Sequence, residues 1–145
     1  MSEMSNYHEG EIIKHIFRTG SFTKPTVLAF CLLTTNAVDG DTGQFTAGTG
    51  VEVANAGSYA RVNRPPLDAN CTAPSGGNGQ TSNVAAITFP TATAGWGTVV
   101  AGAITDVATY DAGNLLFYSV VGVNRTVDNG DIAEIAIGAA TITMA

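Results

Sequence analysis

Charge is the scarcest ingredient of this chain. Only 12% of its 145 residues are Asp, Glu, Lys or Arg, about half the usual share. The six cations, Lys14, Arg18, Lys24, Arg61, Arg64 and Arg125, are scattered and the net charge is −6, so no basic stripe exists to follow a phosphate backbone. That excludes nucleic acid as a partner. Long apolar runs are missing as well; none approaches the roughly 20 residues of a membrane-crossing helix, and no membrane partner is expected. The opening MSEMSNYHEGE is polar and acidic, unlike a secretory signal, which predicts synthesis and use without general export.

Cysteine and histidine are equally sparse. Cys31 sits in the apolar run VLAFCLL and reads as a small buried hydrophobe, while Cys71 lies in a loop. Two free thiols are expected from such a pair in a chain that is not exported. No CxxC or Cys/His cluster is present, so no metal is assigned. His8 and His15 fall on one predicted helix, far in sequence from every candidate nucleophile, and are expected on a solvated surface.

What the chain does have is apolar residues (45%), 17 glycines and many turn signals. Residues 82–118 form its centre: three apolar runs around the single Trp96, separated by Pro90 and by the turn residues 111–114. Before them, Asn6 with Glu9 has capping-box form, and Ile12, Ile13, Ile16 and Phe17 make one apolar stripe, predicting a short helix over about 6–19. Its expected role is to cover a face or edge of the sheet, or else to dock on a neighbouring subunit. Residues 26–35 predict a strand covered on both faces. Residues 36–50 read as a long surface loop, and 67–83 as another, with residues 75–79 its most flexible part. Short strands are predicted at 51–53 and 59–63, and longer ones at 85–89, 96–105 (with Gly102 as a bulge), 115–123, 131–137 and 139–145. The pattern predicts one mainly β domain over 1–145, an antiparallel β-sandwich of jelly-roll type with a short N-terminal α-helix.

A search for chemistry returns no catalytic, cofactor-binding or metal-binding residues. Asp106, Asp111, Asp128 and Asp131 lie in or beside turns, where aspartate satisfies the backbone. Glu52 and Glu134 are placed on a wet face or an interface. Asp39 and Asp41 lack the third ligand and the closing glutamate of a calcium loop. Gly-rich stretches lack the lysine and helix of a phosphate loop. The expectation is a protein without enzymatic activity or cofactor. Low charge on so apolar a chain predicts that part of its surface is covered by other chains.

The motifs SNYHE (residues 5–9), HIFR (15–18), GSYAR (57–61), SNVAAITFPTATAGWGTV (82–99), AITD (103–106), GNLLFY (113–118) and TVDNGD (126–131) together resemble a family of small structural proteins of tailed-bacteriophage virions. Proteins of this kind are labelled tail fibre or capsid cement. The resemblance implies a virion component made in the host cytoplasm and carries over no catalytic residues. The leading expectation is a capsid decoration (cement) protein that self-associates as a trimer and bridges copies of the major capsid protein. The alternative is a tail or tail-fibre component, with tail proteins as partners and a role in host attachment.

Overall fold

The run VLAFCLL is apolar on both sides of its pleat because the strand it forms has partners on both edges and packing on both faces. The computed structural model describes residues 3–74 and 79–144. In chain order the elements are β1 (Glu3–Met4), α1 (Asn6–Phe17), β2 (Ala29–Thr35), β3 (Val51–Glu52), β4 (Val62–Asn63), β5 (Gln80–Ser82), β6 (Ile87–Thr88), β7 (Gly97–Thr105), β8 (Leu115–Val127), β9 (Glu134–Ile135) and β10 (Thr141–Thr143). The main sheet runs β1-β8-β7-β2-β3, with β4 pairing the other half of β2. Two short ladders, β5 with β10 and β6 with β9, complete the strands, and every pairing is antiparallel. The protein is thus mainly β and antiparallel with one short helix. Its second layer consists of the two short ladders, since Ile87, Ile135 and Ile142 pack against the first face of the main sheet.

Alternation along β2 divides the core in two. Phe30 and Leu32 enter one cluster with Val53, Tyr59, Phe89, Trp96 and Ile104, whereas Cys31 and Leu33 enter the other with Ala37, Phe45, Ala101 and Tyr118. The second cluster corrects the reading of residues 36–50 as a surface loop. Ala37 and Phe45 are buried, so this segment closes the second face without contributing a strand. Asp41 holds it together, accepting from the backbone N–H groups of Val38, Thr49 and Gly50 at 3.0, 2.7 and 2.8 Å.

Strand β8 runs to Val127, four residues past its predicted end. The extension comes with an irregularity: Val99 pairs with Arg125 and Ala101 with Val120, so Val100 alone is matched by residues 121–124. The bulge therefore lies in β8 at residues 121–124, opposite Val100, and not at Gly102, which pairs regularly with Leu32 and Ser119. Several predicted strands shrink to two or three residues, and β5 forms inside the predicted loop 67–83. Of the glycine-rich stretch 75–79, residues 75–78 lie outside the described residues, as does residue 145 of the last predicted strand.

The helix begins at Asn6 and stops at Phe17, two residues short of the predicted span, and its cap is Ser5 and not Asn6. The Ser5 hydroxyl accepts from the His8 N–H at 3.3 Å and donates to the Leu115 carbonyl. The Ser5 and Asn6 N–H groups donate to Leu116 and Asp39 carbonyls at 3.1 and 2.9 Å. The helix is therefore pinned at its start to β8 and to the loop beyond β2. None of the described helices is long and apolar enough to cross a membrane.

Candidate functional site

The motif residues 57–61 converge on a buried polar network. Glu52, at the end of β3, and Arg61, just before β4, form a bidentate pair: Nε to Oε1 at 2.9 Å and Nη2 to Oε2 at 2.8 Å. Neither side chain meets solvent (1% and 0% exposed). The remaining Arg61 N–H groups donate to Gly43, Val107 and Ala112 carbonyls and to the Thr105 hydroxyl. The Tyr59 hydroxyl donates to Glu52 Oε1 at 2.9 Å and accepts from the Leu32 N–H at 3.0 Å. A charged pair is tolerated in a core only when its hydrogen-bonding groups are met in this way. Burial alone would lower the Arg61 guanidinium, but its hydrogen bonds to Glu52 reverse the effect and hold it above the ordinary value. Burial first, and the Glu52 charge among lesser causes, push the Tyr59 phenol far up. Arg61 and Tyr59 therefore keep their protons near neutral pH.

Three chain segments meet at Arg61, and glycine permits the closest approach. A Cβ on Gly43 would collide with the Ala112 carbonyl and the Gly113 backbone. Gly57, at φ +60°, supplies the carbonyl that accepts from Trp96 Nε1 at 2.8 Å. Trp96 is buried, edge-on to Tyr59 with ring centroids 5.3 Å apart, and so is a core residue. Motifs 57–61 and 82–99 thus describe one structural joint.

Several other titratable groups also serve the structure. Asp106 accepts from Asn114 through both oxygens at 2.7 Å, closing the turn before β8. Asp111 accepts from the Thr46 N–H at 2.8 Å, tying that turn to the loop over the second face. Asp131 accepts from the Asp128 N–H at 2.9 Å. Glu134 faces solvent with its Oε2 accepting from Thr88 Oγ1 at 3.0 Å, whereas Glu52, expected on a wet face or at an interface, is buried within the chain. Burial raises the Cys31 and Cys71 thiols, and both are free. Among the described residues no three His, Cys, Asp or Glu side chains converge in a metal-binding group.

His8 departs from its expected solvated place. It is buried, with its ring edge-on to Phe22 and Phe117 at 5.2 and 5.0 Å, and its Nδ1 has no partner. Desolvation lowers its pKa. His15 stays exposed and accepts from the Phe22 N–H at 3.3 Å. His8 is the helix's only buried residue, so the apolar stripe does not face the sheet. Ile13, Ile16 and Phe17 are 54%, 62% and 78% exposed. The stripe thus leaves large apolar side chains exposed along one side of the helix.

A second apolar surface lies on the first face of the main sheet. There an open groove of about 1080 Å³ runs between the outer half of β8 and the C-terminal segment. Val121 and Val123 line one wall, Ile132, Ile135 and Ile142 the other, and Phe117 one end. Val123 and Ile132 are exposed.

Sequence reasoning singled out the helix stripe and Trp96 but missed Phe45, the Glu52–Arg61 pair and Asn83. Asn83 is buried and clamps the C-terminal segment, donating to the Ala85 and Ala136 carbonyls and accepting from the Ala140 N–H. The signal for Phe45 was present: it is the one aromatic residue in the polar stretch 36–50.

A family model described as Podophage GP4 fiber I protein gp80 matches residues 3–143. No curated protein matches the chain.

Proposed function

This chain belongs to the Podophage GP4 fiber I protein gp80 family, a family of phage structural proteins, and on that basis we propose that it is a self-associating, non-enzymatic subunit of the virion's fibre. The observation that carries the reading is the helix stripe: Ile13, Ile16 and Phe17 stand in water on a helix whose start is pinned to Leu116 and Asp39. A surface of that kind is stable in a particle when another chain covers it. The titratable residues described above are used in holding the fold, which supports a structural role over a catalytic one.

The finer reading drawn from sequence, a trimeric capsid decoration protein bridging major capsid subunits, stands as the second reading. The low charge of the chain favours it as much as it favours a fibre. Either way the chain acts by mass action: a partner that binds only the assembled particle adds RT ln(1 + [L]/Kd) to its stability. Antibody labelling of intact particles separates the two. Label confined to fibres is the expected result, many copies over the head would favour decoration, and absence from purified particles would overturn both.

A further inference from the structure

We propose that the groove beside β8 receives the apolar face of α1 from a second copy of this chain, in a head-to-tail contact. The inference rests on the self-association proposed above and specifies which two surfaces meet. Both surfaces are apolar and exposed in the isolated chain. The stripe of Ile13, Ile16 and Phe17 has the i, i+3, i+4 spacing by which a helix lies in a groove. The groove is a trough at the upper end of the size range of small-molecule sites, and its walls offer aliphatic side chains in place of convergent polar groups.

Charge gives the pairing a direction. Lys14, in the last turn, flanks the stripe, and Arg18 follows it as the C-cap in extended backbone, so both cations lie at the end of the helix. Glu9 lies on the stripe near the start of the helix. The groove carries Asp131 and Glu134 on its C-terminal wall and Arg125 among the residues of β8. Among the described residues Arg18, Arg125, Asp131 and Glu134 form no ion pair, and Lys14 pairs only with Glu11 of its own helix. A helix seated with its basic flank toward Asp131 and Glu134, and with Glu9 toward Arg125, meets opposite charge at both ends. Glu9 and Lys14 are five positions apart, roughly 8 Å along the helix.

The helix does not fill the groove of its own chain. Its first turn is fixed by Ser5 and Asn6, His8 takes its body-facing side, and the stripe points outward. Because stripe and groove are different patches, each contact leaves one stripe and one groove unused. Such a heterologous contact closes into a ring, of which a trimer is one case, or continues as a filament.

The test is complementation between two broken copies. Ile16→Asp/Phe17→Asp spoils the stripe and Val123→Asp/Ile132→Asp spoils the groove, and circular dichroism checks that each variant is folded. Sedimentation velocity should show wild type assembling, each variant alone monomeric, and an equimolar mixture forming dimers and nothing larger, since only one intact stripe and one intact groove remain. A mixture that stays monomeric, or a variant that assembles like wild type, overturns the proposal while leaving self-association intact. A wild type that stays monomeric at all concentrations removes the self-association reading itself, and the proposal with it. If a variant fails to fold, the exposed charges serve instead. Arg18→Glu or Glu134→Lys alone should weaken association on the order of five-fold, and both in one chain should restore it. Equal affinities for all three chains would overturn the pairing.

Discussion

Arg61 and Glu52 face each other as a two-pronged ion pair, at 2.8 and 2.9 Å, in a part of the molecule that water does not reach. The pair joins the outer edge of β2 to the turn before β8 and to the loop over the second face, through Ala112 and Gly43. Removing one partner strands the other charge, so Arg61→Ala should cost about 3–5 kcal/mol. Arg61→Lys should recover only part of that, because an ammonium cannot reproduce the planar fork. Urea denaturation of both variants measures the difference.

Trp96→Ala should cost about 3–5 kcal/mol, as expected for a large ring removed from a packed core. Trp96→Phe keeps most of the packing but leaves the Gly57 carbonyl without its indole donor. It should cost about 1–3 kcal/mol. A loss near zero for both in thermal unfolding would contradict the core assignment.

His8 predicts an acid-sensitive helix anchor. Desolvation depresses its pKa, so in the folded state it resists protonation while the unfolded chain takes up a proton near the ordinary value of about 6.5. Stability should be complete above that value and fall as pH drops through it, down to the depressed folded pKa. His8→Phe, which keeps an aromatic ring beside Phe22 and Phe117, should flatten the dependence of the melting temperature between about pH 7 and 5.

Asp41 acts lower on the pH scale. Burial pushes its carboxyl up, but the N–H groups of Thr49, Gly50 and Val38 more than offset this and hold it below the ordinary value. Its contribution is present above an unfolded pKa of about 3.9 and is lost as pH falls through the lower folded value. Asp41→Asn should cost about 1.5–3 kcal/mol at neutral pH. It should also remove that part of the acid transition, as read by fluorescence-monitored unfolding.

Ile16→Asp should leave the isolated chain's stability within about 0.5 kcal/mol, the usual range for surface positions. The side chain already faces water. A large loss in the monomer would mean that the stripe packs internally.

Helix, strands and turns were legible where local chemistry decides them. The stripe at residues 12–17 marks a helix, the double-sided run in β2 marks a strand packed on both faces, and Gly113 and Asn114 mark a turn. Less legible were features set by distant partners. Residues 124–127 carry turn chemistry, yet they extend β8 because β7 offers Val99, Thr98 and Gly97 as partners. Two-residue β1 has no pattern of its own and exists only where Phe117 and Tyr118 accept it.

Residue order and composition were enough to specify an antiparallel β protein with one amphipathic helix, little charge and no recognisable reactive motif. Those properties follow from composition and from spacings of a few residues. Folding in three dimensions was needed to bury Glu52, Arg61 and His8, to close the second face with Phe45, and to turn the helix's apolar stripe outward. Burial of a charge depends on whether partners far along the chain meet every hydrogen-bonding group, and the exposure of a stripe depends on where the first turn is pinned. Neither condition is written in a local window.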